Sequence, residues 1–143
     1  MNHPTDPDCI FCKIIAGQIP AYQLYQDPHV LAFLDVGPIA PGHTLIIPKA
    51  HYPTLDTMPP NLAAHCIKIA PTLIKAIQKA TGATALNLLQ NNGAIAGQAV
   101  NHVHFHLIPR TKNDAFKYTW PAQNLKETQG LALLEKIKKH LNT

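Results

Sequence analysis

Residues 102 to 108 read His-Val-His-Phe-His-Leu-Ile, three imidazoles in strict alternation with apolar side chains. Successive side chains of a β-strand point to opposite faces, so His102, His104 and His106 share one face while Val103, Phe105 and Leu107 share the other. The spacing predicts a strand with a core face and a chemical face, ended by Pro109. At about 3.3 Å of rise per residue, neighbouring imidazoles stand roughly 7 Å apart and the outer two roughly 13 Å apart. A metal ion holds its nitrogen ligands at about 2.0–2.1 Å. One ion therefore takes two of these histidines, and all three only on a strongly bent strand. At least one imidazole, most naturally the central one, is left to act as nucleophile, as general acid or base, or as a donor to phosphate oxygens.

The rest of the chain supplies the elements around that strand. Cys9 to Ala16 reads as a short apolar helical turn stopped by Gly17 and Pro20. Tyr22 to Tyr25 and Val30 to Asp35 read as strands separated by the break Gln26-Asp27-Pro28-His29. The segment from Gly37 to Gly42 is a rigid proline-bearing loop, and His43 to Ile47 a buried strand ended by Pro48. Pro59-Pro60-Asn61 opens the longest helix, expected to run to about Ala80, with a kink at Pro71 and a stop at Gly82. Thr84 to Gln90 is a further strand, followed by a glycine-bearing loop from Asn91 to Gly97. Residues 110 to 125 are irregular, and a last helix spans about Lys126 to Leu141 with its lysines turned outward. The sum is an α+β domain: about five strands in an antiparallel sheet, one long helix and shorter ones, with the helices on one side.

A chain of 143 residues with 46% hydrophobic content suits one domain, 1–143, whose residues 111–143 form a C-terminal extension ending in a helix. Its first residues are polar and proline-broken, unlike a signal peptide, and no apolar stretch is long enough to span a bilayer. The expectation is a cytoplasmic protein with no membrane contact. Residues 1–109 carry five lysines against five aspartates, whereas 110–143 carry seven basic residues against three acidic ones, giving the net charge of +4. No arginine cluster interleaved with aromatics accompanies that tail, which argues against a nucleic-acid partner and for a solvated helix face.

Cys9, Cys12 and Cys66 are odd in number, so a disulfide framework is not expected. Cys66 falls in the helical pattern as a small buried residue. The Cys9-x-x-Cys12 spacing lets two thiolates hold one tetrahedral ion, and distant histidines, His51 and His102, are the economical completion of a Cys2His2 set. Free buried cysteines and a redox pair are the alternatives, the latter disfavoured because nothing strand-like precedes Cys9. The loop from Gly93 to Val100, Gly-Ala-Ile-Ala-Gly-Gln-Ala-Val, offers exposed amides to an anion but lacks the ending of a Walker loop. Asp35 is either a turn former or an acceptor for ribose hydroxyls. Ile10, Phe11, Ile14, Phe33 and Val36 are either plain core or a wall for a base.

The histidine stretch resembles the signature of the histidine triad (HIT) family, in which three histidines alternate with apolar residues. The resemblance extends from Cys9-Ile-Phe-Cys-Lys-Ile through Phe33-Leu-Asp35, Pro41-Gly-His43-Thr-Leu-Ile-Ile-Pro-Lys-Ala-His51 and Asn91-Asn-Gly to His106-Leu-Ile-Pro-Arg110. It is strongest to the small nucleotide-binding and hydrolase branch with an N-terminal Cys-x-x-Cys. What it implies is a HIT-like fold and a purine nucleotide hydrolase or transferase acting at the α-phosphorus of nucleoside phosphoramidates or dinucleoside polyphosphates. By position His104 would be the nucleophile that forms a nucleotidyl-histidine, with His106 and His102 completing the catalytic set. Asn91, Gly97, Gln98 and Ala99 would lie at phosphate or ribose, Asp35 at the ribose, His43 beside the reacting groups, and Ile10, Phe11, Ile14 and Phe33 against the purine.

The resemblance also implies structural Zn2+ on Cys9, Cys12, His51 and His102, and a homodimer with Trp120 near the partner's site. One departure stands out: Ala99 replaces a serine or threonine common in the family, removing a hydroxyl donor to the leaving group worth about 1–2 kcal/mol. That change is the feature favouring the alternative, a non-catalytic nucleotide-binding or adaptor dimer.

Overall fold

The computed structural model describes residues 3–117 and 119–141. Two runs, Val-Leu-Ala-Phe-Leu and Thr-Leu-Ile-Ile-Pro, are apolar at nearly every position, the pattern of strands buried on both faces. They form the centre of a five-stranded antiparallel sheet. Its strands are β1 (Gln23–Gln26), β2 (Val30–Leu34), β3 (Thr44–Pro48), β4 (Ala85–Gln90) and β5 (Phe105–Arg110), in the order β1-β2-β3-β5-β4. Alternation then sorts the side chains. Val30, Ala32, Ile46, Phe105 and Leu107 face one side with Met58, Cys66, Leu73 and Ile77. Leu31, Phe33, Leu45 and Ile47 face the other with Cys9, Phe11, Cys12 and Ile14.

The first core is roofed by α2 (Pro60–Lys68) and α3 (Ala70–Thr81), the second by α1 (Ile10–Ile15). Helices thus cover both faces rather than one, because β2 and β3 have no polar face to leave in water. The single long helix expected from Pro59 to Ala80 is instead two, broken at Ile69. Pro71 has no amide to continue the ladder and its ring would strike the preceding turn; the chain resolves this by restarting, with Pro71 in the first turn of α3 where no donor is needed. Gly82 ends α3 in the left-handed conformation, its amide bonding the Gln78 carbonyl.

The histidine stretch differs more. The strand begins only at Phe105, so His102 and His104 precede the ladder and His106 alone lies in it. The amide of His102 bonds the Val100 carbonyl and that of Val103 the Tyr52 carbonyl, so neither enters the ladder with β3. The side chains of this segment still alternate in direction, though all four of 102–105 are buried: Val103 and Phe105 enter the core beneath α2 and α3. The strand also runs on through Pro109 to Arg110. Only residues 105–107 pair with β3, so the missing amide of Pro109 costs no bond to that neighbour. Beyond β5, Arg110 binds Asp114 at 2.7 Å, Asn87 at 2.6 Å and the Phe116 carbonyl at 2.9 Å. The last helix, α4 (Glu127–Leu141), exposes Leu131, Leu134, Ile137 and Leu141. Among the described residues no helix is long and apolar enough to cross a membrane.

Asp27 locks the β1–β2 turn to α2. Its carboxylate accepts the amides of His29 and Val30 at 2.8 Å, the Tyr25 hydroxyl at 2.8 Å and His65 Nε2 at 2.7 Å. Burial opposes the charge, yet the bonds from His65, His29, Tyr25 and Val30 together hold this carboxyl well below the usual carboxylate range. The neighbouring Cys66 thiol, fully buried, is pushed up to about 12 by burial first and by Asp27 second, so it is an inert core group.

Two stability effects are expected. Asp27→Asn should lower unfolding free energy in urea by about 1–3 kcal/mol at neutral pH. Because the folded carboxyl titrates below its unfolded value of about 3.9, its contribution is complete above that pH and disappears below it. The gap between wild type and variant should therefore close in acid; a gap independent of pH would contradict the assignment. Gly42 sits at φ +88, and a Cβ there would lie 2.7 Å from Thr81 Cγ2, a methyl that cannot yield because Thr81 Oγ1 is tied to the Ile77 carbonyl. Gly42→Ala should cost about 2 kcal/mol or more, read as a lowered Tm.

Candidate active site and metal centre

Cys9 is the residue before α1 and Cys12 lies one turn in, so both thiols emerge on the side of the helix that faces the end of β3. His51 follows β3 and is anchored by its amide to the Pro4 carbonyl. His102 arrives from the segment before β5 and is fully buried. Its Nε2–H donates to the Pro48 carbonyl at 2.8 Å, so the Nδ1 lone pair is the one aimed at the sulfurs. Nδ1 lies 3.5 Å from Cys9 Sγ, 3.7 Å from Cys12 Sγ and 3.1 Å from His51 Nδ1, and Cys12 Sγ lies 3.5 Å from His51 Nδ1. Tetrahedral bonds of about 2.0–2.3 Å require ligand atoms roughly 3.4–3.8 Å apart. The four side chains fit such a cation closely, with no coordination position left open, and could hold a metal ion. Burial, with His51 and His104 nearby, pushes His102 down to about 4, while burial raises the Cys9 thiol.

On the same side of the sheet α1 forms one wall of a cavity of about 320 Å³. Ile10, Phe11, Ile14, Phe33 and Val36 line its apolar side, and Asp35, Ala99, His104 and His106 complete the lining. Phe11 stands edge-on to Phe33, His102 and His104, with ring centroids 5.7, 5.7 and 5.2 Å away, and so links the cavity to the cysteine cluster. His104 Nδ1 donates to the His102 carbonyl at 2.7 Å. Its remaining lone pair, on Nε2, belongs to the cavity. His104 and His106 stack edge-on at 4.8 Å.

Behind them sits His43, at the entry to β3. Its Nδ1 accepts the Ile39 amide at 3.1 Å, its Nε2 lies 2.9 Å from His106 Nδ1, and Asp35 Oδ2 is 3.6 Å from that Nε2. Asp35 Oδ1 takes the Gly37 amide at 2.8 Å. Burial lowers both histidines, His106 to about 4, and the opposing pull of Asp35 does not restore them. Both shifts favour the neutral rings, and the Ile39 amide aimed at His43 Nδ1 requires that nitrogen to be unprotonated.

The structure therefore divides the residues singled out from sequence between two adjoining centres. Ile10, Phe11, Ile14, Phe33, Asp35, Ala99, His104 and His106 share the cavity, with His43 at its back. Cys9, Cys12, His51 and His102 share the metal centre. Asn91, Gly97 and Gln98 are not among the cavity's lining residues. The Gln98 side-chain amide is committed to backbone groups of its own loop and of the segment after β3, accepting the Gly93 amide at 2.7 Å and donating to the Val100 and Pro53 carbonyls at 3.0 and 2.6 Å. Asn91 Nδ2 reaches the Gly97 carbonyl.

Lining residues that sequence reasoning missed are Ile19, Pro20, Ala21, Leu34, Leu45 and Val100. Leu45 was accessible in principle, since it pairs with His106 across β3 and β5 and so shares its face. The other carry no chemical pattern that distinguishes them from core or turn.

The HIT domain family model matches residues 16–113. Adenylylsulfatase HINT3 of Arabidopsis thaliana is 45% identical over 141 residues, covering 94% of this chain and 70% of the relative. Adenosine 5'-monophosphoramidase HNT1 of Saccharomyces cerevisiae is 47% identical over 119 residues, covering 82% and 73%. The crystal structure of SMU.412c from Streptococcus mutans superposes with a TM-score of 0.92 at 42% identity, over 96% of this chain and 87% of that one. A Zn-bound histidine triad family protein from Mycobacterium smegmatis superposes with a TM-score of 0.73 at 32% identity, over 93% and 97%. Fold, histidine constellation and these matches agree, and the chain belongs to the HIT family.

Proposed function

We propose that the chain is a purine nucleotide hydrolase or transferase that cleaves at the α-phosphorus of nucleoside phosphoramidates, dinucleoside polyphosphates or related adenylyl adducts through a nucleotidyl-His104 intermediate. The observation that carries this reading is the 2.7 Å bond from His104 Nδ1 to the His102 carbonyl. It keeps the proton on Nδ1, leaves Nε2 as an unprotonated nucleophile in the cavity, and disperses the positive charge that forms on the ring as Nε2 attacks. A new bond forms between Nε2 and the α-phosphorus while the bond to the leaving group breaks, a basic departing atom taking a proton from solvent water. Water then attacks the same phosphorus and gives up a proton to solvent, the phosphorus–nitrogen bond breaks, and the nucleotide is released with His104 restored.

The other groups act by position. The apolar wall of Ile10, Phe11, Ile14 and Phe33 takes the base and Asp35 the ribose. His106 and the amides of the 97–99 loop meet charge on the phosphoryl oxygens. Ala99 presents only a methyl and its backbone to the leaving group, which favours leaving groups that need little help. The names of the relatives, an adenylylsulfatase and an adenosine 5'-monophosphoramidase, have the transferred adenylyl group in common and support this substrate class.

Zinc is the proposed occupant of the Cys9, Cys12, His51 and His102 set, supported by the ligand spacing and by the Zn-bound relative. When bound, it would hold the His102 carbonyl, and with it the His104 ring, in place. We further read the active form as a homodimer, supported by β4 at the sheet edge and the uncovered leucine face of α4. Residues 111–143 are then the extension that reaches beyond the HIT domain.

Incubation with adenosine phosphoramidate should give an acid-labile AMP adduct in intact mass spectra, absent from His104→Ala, whose kcat/KM falls by about 1,000-fold or more. Labelling that survives the substitution would reject His104 as nucleophile. Cys9→Ala should lose most bound zinc by elemental analysis and melt at lower temperature. Full zinc content in that variant would overturn the ligand set.

A further inference from the structure

Two of the cavity histidines present opposite faces of the same chemistry, and the difference is written in their hydrogen bonds. His104 gives its Nδ1 proton to a carbonyl, so its Nε2 is a bare lone pair. For His106 the direction is set from outside. The Ile39 amide is a donor and cannot be reversed; it lies 3.1 Å from His43 Nδ1, so that nitrogen is the acceptor. Neutral His43 must then carry its proton on Nε2. That nitrogen is 2.9 Å from His106 Nδ1, and only one assignment makes this a hydrogen bond: His43 Nε2–H donates and His106 Nδ1 accepts. Neutral His106 is left with its proton on Nε2. Among the described residues Nε2 of His106 has no hydrogen-bond partner, and His106 lines the cavity.

We infer that His43 is a positioning residue: held by the Ile39 amide, it fixes the tautomer of His106 so that His106 presents an N–H donor to the phosphoryl group while His104 presents a lone pair. The inference rests on the functional reading above. The backbone of the Gly37–Gly42 loop is what enforces it, since Ile39 belongs to that loop and Asp35, through the Gly37 amide, holds its first turn. Asp35 Oδ2, 3.6 Å from His43 Nε2, is too distant for a direct hydrogen bond and acts as a nearby negative charge.

The same tautomer argues against an alternative use of these groups. Asp35, His43 and His106 have ligating atoms within 4.8 Å of one another, a two-histidine, one-carboxylate grouping that resembles a cation site. A cation there needs the Nε2 lone pair of His43. That position is occupied by a proton as long as the Ile39 amide points at Nδ1.

The test is the tautomer itself, read in the unliganded, zinc-loaded protein by long-range 1H–15N correlation of the imidazole rings near neutral pH. Wild-type His106 should show a protonated Nε2 and an unprotonated Nδ1, and His104 the reverse. His43→Ala should let the Nδ1–H form of His106 appear and lower kcat about 10- to 100-fold, with KM changed less than about 3-fold. His43→Gln, whose amide N–H can still donate to Nδ1, should recover part of both. A proton on Nδ1 of wild-type His106 overturns the inference, as does a His43→Ala protein with unchanged tautomer or unchanged kcat. The wild-type spectrum needs no variant and no substrate. Absence of a nucleotidyl adduct would therefore fail the proposed reaction while the tautomer assignment stood or fell separately.

Discussion

His102 is the residue on which the remainder of this site depends. Fully buried, it uses every polar atom beyond its own amide: Nε2–H binds the Pro48 carbonyl, Nδ1 faces two thiols and the His51 ring, and its carbonyl receives His104 Nδ1. A buried imidazole with an unmet nitrogen would cost several times what one hydrogen bond gains. All three partners are therefore compulsory, and together they connect α1, the end of β3 and His104. Phe11, edge-on to both His102 and His104, makes the same connection through packing.

The second constraint is the double burial of β2 and β3. Residues of odd and even number go to different cores, so a slip of one residue would exchange the helix-facing set for the cavity-facing set. This divides labour across the sheet. The face beneath α2 and α3 is mainly apolar, its buried Thr44 hydroxyl met by the Gly42 carbonyl, with Cys66 inert and Asp27 pinning the β1–β2 turn from outside it. The opposite face trades some of that apolar packing for imidazoles, beneath a short helix that also supplies two thiols and the apolar wall.

Much of this was legible in local pattern. The breaks at Asp27-Pro28, Gly82 and the Gly37–Gly42 loop lie between elements because glycine and proline restrict the backbone wherever they occur. The Cys2His2 set followed from counting ligands, whereas the apolar wall was legible only as core or wall until the family resemblance gave it a base to face. Other features were misread for identifiable reasons. Pro71 was expected to kink one helix, but a restarted helix satisfies the same missing amide more cheaply. The alternation at 102–107 predicts a strand over its whole length, whereas alternating side-chain direction needs only an extended chain; the amides of His102 and Val103 are bonded elsewhere. Gln98 illustrates a further limit, since a side chain able to bind phosphate is equally able to bind its own loop.

By itself the sequence determined the repertoire: which residues are extended, which are apolar enough to be buried on two faces, and that three imidazoles, two thiols and a carboxylate would be available. These follow from periodicity and side-chain chemistry, which are local. The tertiary structure alone decided which nitrogen of each histidine bears a proton. That depends on whether a donor or an acceptor lies within about 3 Å, and here the deciding groups are backbone atoms of Pro48, His102 and Ile39. Backbone amides and carbonyls are the same in every residue, so no reading of side chains could have placed them. Only the folded chain brings them to the rings and leaves one imidazole with a bare Nε2 and its neighbour with a protonated one.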